Sequence, residues 1–441
     1  MDSFVELFSK KAKARGLDRL HFHVEEMEKR NLSVFNGEAQ RSGASRETLF
    51  FVEGKYKDFA GSAYAANPRE EIIEKLIESI IQTASWNKAP YLGKPIHALE
   101  PPRNNVADFE SGRLARTLLD AEKFARDQAP KTEAFTVEVS QKTRTVTLFD
   151  CDGAGRRMSD IVGFFSLDVG VMAKNDGQAQ TAHHHELFLR DDLDYKEIAA
   201  RVAREASGML NSGACASGRY KAVIRNSAFA ELFGAFLPSF FAEKCQNKMS
   251  FLTGMLNSPI GSRAFSAYED PAGLIRRRFD DEGTLTERKT IVDKGRLSDY
   301  FHNARTAALD PGKRKSNGNG FRQNYNEGIS SAYTNVVVEG AQKTLAGLLS
   351  GMDEGLLVTE CDGIFAGINP ASGDFSVLAK GYMVKGGGLS RPVSGITIGG
   401  NLVDLLSAVE ETGSDYIVIQ SNTGVVKSPS ARLSGIVVTG A

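Results

Sequence analysis

The second half of the chain sets the tightest limit on what it can fold into. From about residue 334 onward, short apolar runs rich in β-branched residues are cut by glycine: TNVVVEG, GLLVTECDGIFAG, DFSVLAKGYMVKGG, GITIGGN, DYIVIQS and SGIVVTGA. β-Branched side chains pack well on a pleated surface, and glycine supplies the left-handed backbone of tight turns. The chain has 43 glycines, and they fall mostly between such runs. One helical segment, NLVDLLSAVEE, interrupts them. Many short strands joined by tight turns are expected to close into a sandwich or a barrel.

The first half mixes helices with strands. FVELFSKKAKAR puts Phe4, Leu7 and Phe8 on one helical face and ends before Gly16. In LHFHV, Leu20, Phe22 and Val24 face one way and His21 and His23 the other, the histidines being read as solvated. Asn36–Gly37 is a hairpin signal. ETLFFVEGKYKDFAGSAY reads as a second hairpin turning near Gly54. NPREEIIEKLIESIIQTAS predicts a helix, with Asn67 as its cap, Pro68 at its first position and isoleucines and Leu76 forming one apolar stripe.

A proline-containing stretch at 90–102 precedes another helical segment, GRLARTLLDAEKFARDQ. The residues that follow, as far as HHHELFL, read as an antiparallel meander turning at Asp152–Gly153 and Asn175–Gly177. DYKEIAARVAREASGMLNSG is then a closing helix. A chain of 441 residues is too long for one ordinary core, so two domains are expected. The small, polar NSGACASG marks their boundary. The expected fold is α+β: 1–215 an antiparallel sheet with flanking helices, 216–441 a β-rich sandwich or barrel-like domain.

Composition removes several classes of function. There are 54 basic and 55 acidic residues, a net charge of −1, which gives no electrostatic case for nucleic acid or an anionic membrane. No apolar run approaches the roughly 20 residues of a membrane helix. MDSFVELFSKKAKARG is amphipathic and lacks the basic start and apolar block of a signal peptide. Cys151, Cys215, Cys245 and Cys361 lie far apart with no CxxC, so neither a zinc ribbon nor a disulfide framework is indicated. A reducing cytoplasm fits.

Four short stretches invite a chemical reading. TAHHHELFL (181–189) joins His183, His184 and His185 to Glu186. Adjacent side chains on a strand point to opposite faces, so only His183 and His185 share one, and the spacing is not that of a helical zinc motif. A surface strand is the favoured reading over a metal site built from His183, His185 and Glu186. KSNGNGFRQ (315–323) has backbone N–H groups that could cradle a phosphate, but it lacks the GxxxxGK[ST] pattern and reads as a loop. KGGGLSRP (385–392) reads as a hairpin turn. RFDDEGT (278–284) clusters Asp280, Asp281 and Glu282 without EF-hand spacing, and reads as an acidic turn.

In order along the chain, FDDEGT, SNGNGFRQ, TNVVVEGA, GLLVTE, NPASGDFSVLAKGYMVKGG and PVSGITIGGNL together closely resemble the PmbA/TldD family. LSVFNGEAQRSGASRETLFFVEGKYKDFAGSAY resembles its N-terminal hairpins. The resemblance implies a cytoplasmic two-subunit peptidase. One branch, TldD, carries zinc on an HExxxH helix completed by a cysteine near the C-terminus. The other, TldE or PmbA, lacks the ligands and pairs with TldD. The DNA-gyrase-modulator label that the family also carries gains nothing from the charge balance.

The branches differ at one helix. Zinc needs both histidines on one face, with the glutamate beside a bound water as general base. Five residues advance a regular helix by about 500°, so HExxxH needs a local widening, which a glycine would ease. The matching segment is AFAELFGAFLP. Aligned on Gly234, it puts Ala230 and Ala235 at the histidine positions and Glu231 at the glutamate. No histidine lies between His185 and His302, and the final stretch SNTGVVKSPSARLSGIVVTGA has no cysteine. The resemblance therefore implies a TldE/PmbA-like chain with no metal or cofactor of its own and Glu231 vestigial. Zinc is expected on a TldD-like partner. The chain would help enclose and hold extended peptides. The alternative is a stand-alone or homodimeric peptide-binding or regulatory protein. Asp280, Asp281, Glu282, Asn317, Asn319 and Arg322 are the candidates for the substrate cavity, by motif position.

Overall fold

Alternation at LHFHV continues far beyond those five residues, and Leu17–Phe35 (β1) is a single strand of 19 residues. The computed structural model describes every residue except 41, 92–95, 98, 101, 103–105, 152–155, 313, 325 and 441, so the expected turn at Asp152–Gly153 lies outside the described residues. Helix α1 (Asp2–Ala14) precedes β1. Then come β2 (Glu38–Ala39), β3 (Gly43–Tyr56), β4 (Phe59–Ala66), α2 (Ile73–Asn87) and α3 (Ser111–Gln128). The meander is β5 (Thr132–Asp150), β6 (Arg156–Asn175) and β7 (Gln178–Phe188), closed by α4 (Tyr195–Gly208). The sheet order is β4-β3-β1-β5-β6-β7, antiparallel throughout, with β2 folded back on β1.

All four helices cover one face of this sheet. Phe8, Phe22, Phe50 and Ile77 share one cluster beneath α1 and α2. Leu32, Val137, Leu118 and Val202 share another beneath α3 and α4. The hairpin turns at Asn36–Gly37 and at Asp176–Gly177 carry the positive φ angles the sequence called for. Two details differ. The β3–β4 turn is at Lys57–Asp58, not near Gly54. Gly54 lies inside β3, where a Cβ would meet Leu17, Leu20 and Ile80; Gly61 faces the Ile80 carbonyl still more closely. Glycine serves there to let α2 approach the strands. Asn67 does not cap α2: its Oδ1 accepts from the Thr48 N–H at 2.8 Å, and α2 begins only at Ile73.

In the second half, β8 (Gly218–Ile224) leads straight into α5 (Asn226–Phe236). β8 pairs with Glu354–Asp362 on one side and Ala431–Thr439 on the other. Glu354–Asp362 pairs with Asp374–Lys385, which pairs with Gly388–Asn401, which returns to Ala431–Thr439. Five strands thus close a barrel, and the turn between Lys385 and Gly388 uses Gly386 and Gly387 at positive φ. A second sheet of six short strands includes Asn335–Val338, Gly424–Ser428 and Ile417–Ser421. Helix α5 lies between barrel and sheet: Phe229, Phe233 and Phe236 share one large core with Ile224 and Val358 of the barrel and Val336 and Ile419 of the sheet. Among the described residues, no helix is long and apolar enough to cross a membrane.

Candidate functional site

The face of the first sheet that carries no helices packs against the second half. The alternation of β1 correctly put His21 and His23 on the face opposite Phe22, but they are not solvated. They are 1% and 5% exposed, because residues of the second half cover that face. Val146, Leu148 and Met158 pack there on Phe279. Arg278 donates from its backbone N–H to Asp160 Oδ2 at 2.8 Å, and its Nε lies 3.2 Å from Asp160 Oδ1.

Beside this contact the halves enclose a cavity of about 570 Å³. β1, β3 and β5 supply His23, Glu25, Phe51, Lys142 and Arg144, and the second half supplies Arg277, Phe321, Arg322, Tyr333 and Asn422. A second cavity of about 530 Å³, bounded by Pro238, Phe241 and Ser330, shares Gln323, Asn422 and Thr423 with the first. The two are therefore adjacent, with those three residues between them.

A network of charges organises the inner cavity. Asp281 Oδ1 accepts from Arg277 Nη2 at 2.7 Å, and its Oδ2 accepts from the Arg322 N–H at 2.8 Å. Burial alone would raise the Asp281 carboxyl. Against burial, the facing His23, the charges of Arg277 and Arg144 and the Arg322 N–H together hold it well below the usual carboxylate range. Arg144 binds Glu25 at 2.6 Å and keeps that carboxyl low against the same effect of burial. Burial pushes the His23 imidazole down to about 4, against the pull of Asp281 and Glu25. His23 is thus neutral at pH 7. Its Nε2 lies 3.9 Å from Asp281 and 4.0 Å from Glu25, too far to hydrogen-bond.

The six candidates from motif position separate here. Asp281 and Arg322 meet at the cavity, with the Arg322 guanidinium 3.3 Å over the Phe51 ring. Asp280 accepts from the backbone N–H groups of Glu282, Thr284 and Gly320, which ties two loops together. Burial and the charge of Glu282 push its carboxyl up to about 8, with the Gly320 and Thr284 donors acting against them. Glu282 accepts from the Ala304 N–H at 2.7 Å. Asn317 bridges the His302 N–H and the Tyr300 carbonyl. Asn319 is fully buried between Lys289, Glu269 and the Ala332 carbonyl. These four hold the loops that carry Asp281 and Arg322. His23, Glu25, Lys142, Arg144 and Arg277 were not among the candidates. The signal for the first four was a polar stripe at period two in β1 and β5, which means little until the sheet order shows that both strands are central; Arg277, in a loop, had no such signal.

Helix α5 presents Ala230 at 0% and Ala235 at 6% exposure. The final stretch of the chain does reach this helix. A Cβ on Gly234 would lie 2.5 Å from Ser421 Oγ, and Asn422 Nδ2 donates to the Gly234 carbonyl at 2.9 Å. The Ser421 hydroxyl is engaged with the Tyr333 hydroxyl at 3.1 Å. Glu231 reaches the surface near Glu360, Asp362 and His185. Desolvation and the repulsion of Glu360 raise its carboxyl to about 7. These donors do not fit zinc. Two methyl groups, one glutamate and an occupied hydroxyl make no ligand set, and among the described residues no group of three His, Cys, Asp or Glu could hold a metal ion.

The HHHE run sits on β7, on the strand face and order that alternation requires. His184 Nε2 meets Glu186 at 3.1 Å and its Nδ1 meets Arg201, while His185 Nδ1 meets Asp168 at 2.7 Å. His184 and His185 are thus engaged by first-half side chains, while the His183 backbone N–H donates to Glu360 of the second half at 3.4 Å.

Comparison with known proteins gives consistent relatives. A family model described as the PmbA/TldA metallopeptidase C-terminal domain matches residues 217–440. The metalloprotease PmbA of Escherichia coli O157:H7 is 28% identical over 280 residues, 61% of this chain and 58% of that protein. The match thus spans less than two thirds of that relative. The metalloprotease PmbA homolog of Haemophilus influenzae is 24% identical over 417 residues, 91% of this chain and 88% of the relative. A crystal structure from Thermotoga maritima, described as a "putative modulator of a DNA gyrase", superposes with a TM-score of 0.85 at 26% identity, covering 99% of this chain and 100% of that one. TldE from Thermococcus kodakarensis superposes at 0.86 over the same shares with 19% identity, which shows a common fold.

Proposed function

This chain belongs to the PmbA/TldD metallopeptidase family, and from that premise we propose that it is a TldE-like, zinc-free subunit of a two-subunit cytoplasmic peptidase. It encloses and holds an extended peptide, while a TldD-like partner carries the zinc and cleaves. The observation that carries this reading is helix α5. Ala230 and Ala235 are the residues aligned with the zinc ligands, and both are methyl groups packed in the core. With methyl groups at both positions the helix offers no metal to polarise a carbonyl, and Glu231 has no metal-bound water beside it to activate.

Holding a peptide is supported by what surrounds the two adjacent cavities. The two-stranded ladder of Gly320–Phe321 and Ser330–Ser331 contributes residues to both, and pairs with no third strand among the described residues. An extended chain can add to such a ladder through main-chain hydrogen bonds, which tolerates many sequences.

The test is metal content and peptidase activity of the purified chain, alone and mixed with a TldD-like protein. The chain alone is expected to hold no stoichiometric zinc and to cleave nothing, and the mixture to form a complex that hydrolyses unfolded peptides. Zinc and activity in the isolated chain would overturn the proposal. A self-complementary dimer indifferent to the TldD-like protein would establish the homodimeric binding protein instead.

A further inference from the structure

The inner cavity contains buried polar atoms without partners. Both ring nitrogens of His23 and the Nε of Arg277 are buried and make no hydrogen bond, although these side chains are only 5% and 2% exposed. The Nε of half-buried Arg322 is likewise unbonded. All three residues line the same space. A buried donor left unbonded costs about 1–3 kcal/mol, so three such groups converging on one cavity are an expensive arrangement unless something binds there.

The charges say what would bind. Among the described lining residues, Lys142, Arg144, Arg277 and Arg322 face Glu25 and Glu47. Arg144 is taken up by Glu25 and one Arg277 nitrogen by Asp281, so the positive excess available to a ligand is small. A single negative charge suits it. A dianion would meet Glu25 and Glu47 at twice the repulsion. Apolar Leu49, Phe51, Phe164 and Phe321 stand beside the cations, and uncharged polar groups from Gln323, Asn324, Gln420, Asn422 and Thr423 are also in the lining. At about 570 Å³ the cavity is of ordinary ligand-site size.

We infer that this cavity is a carboxylate site for a peptide's C-terminal end, with the carboxylate among Arg277, Arg322 and His23 and the last side chain against Phe51 and Phe321. Guanidinium nitrogens match the two oxygens of a carboxylate, and a neutral imidazole can donate one more hydrogen bond. The peptide then leaves through the second cavity, past Gln323, Asn422 and Thr423, toward the end of α5. The inference rests on the peptide-holding reading for the bearer of the carboxylate.

The experiment is calorimetric titration of the full chain with acetylated hexapeptides ending in leucine, as the free acid and as the C-terminal amide. Two further arms are an amidated hexapeptide with an internal aspartate and inorganic phosphate. The free acid is expected to bind at least tenfold more tightly than either amidated peptide, and phosphate not to displace it. Arg322→Gln, which keeps a planar group able to stack on Phe51 at this half-buried position, should remove most of that ratio while leaving the melting temperature near wild type. Equal binding of acid and amide, an unchanged ratio in Arg322→Gln, equal binding of the internal aspartate, or displacement by phosphate would each overturn the assignment. Failure here is separable from failure of the subunit reading. A chain that still completes a TldD-like peptidase without acid–amide discrimination loses only this site.

Discussion

Asp281 and His23 show how much one pair of buried residues fixes. Asp281 joins the Arg277 side chain to the backbone of Arg322, and His23 lies between it and Glu25. Because His23 is buried neutral, its folded pKa is depressed to about 4 from 6.5. The unfolded chain therefore takes up a proton first as pH falls, and stability present above about pH 6.5 is lost on the way down to about pH 4. The groups facing the ring are Asp281, Glu25, Arg322 and Arg144, and the arginines and acids keep their charges over that window. Urea denaturation at about pH 7 and about pH 5 should show wild type losing roughly 2 kcal/mol more than His23→Gln. Parallel losses would mean that His23 is protonated, or wet, in the folded protein. Alternation in the sequence placed this side chain on its face. Its burial was not readable, because the covering residues lie some 250 positions away at Arg277–Asp281.

At the scale of elements, α5 is the informative one. The segment AFAELFGAFLP was legible as a helix, and the structure forms it as Asn226–Phe236. Its place between a closed barrel and a second sheet was not legible, since closure depends on Glu354–Asp362 pairing both with β8 and with Asp374–Lys385. The same limit explains Gly54 and Gly61. A glycine in a strand-like run reads as a turn, and only the packed helix α2 shows that the missing side chain makes room for it. Restoring histidines on α5 tests the packing. Ala230 is fully buried, so an imidazole there must displace core side chains, at about 1–3 kcal/mol. The variant carrying both Ala230→His and Ala235→His should unfold at lower urea than wild type. It should bind no stoichiometric zinc by metal analysis, because the Ser421 hydroxyl facing the helix is engaged with Tyr333. Tight zinc in that variant would show that the helix retains a hidden ligand set.

The whole molecule depends on how the halves meet, which composition and motifs left open. The candidate loop residues were chosen from order along the chain, yet the cavity walls come equally from β1, β3 and β5. While Arg225–Glu205 and Lys380–Thr181 join the halves elsewhere, Arg278, in the acidic-turn segment, fastens them beside the cavity. Its backbone and side chain bind Asp160 of β6, and its Nη1 donates to the Glu100 carbonyl at 2.8 Å. Asp160 is 4% exposed. Removing the arginine leaves a buried carboxylate with its backbone donors alone, and breaking such a pair costs about 3–5 kcal/mol. That loss belongs to the junction, since the barrel core around α5 and the helix-covered face of the first sheet share no residue with it. In Arg278→Ala, hydrogen exchange should therefore quicken first around 159–162 and 274–282, with the barrel strands protected as in wild type. Acid–amide discrimination in peptide binding should fall with it, because Arg277 and His23 lie on opposite sides of the loosened contact. Uniform quickening through barrel and first sheet alike would show instead that the two halves unfold as one unit and that the cavity is no weaker than the cores beside it.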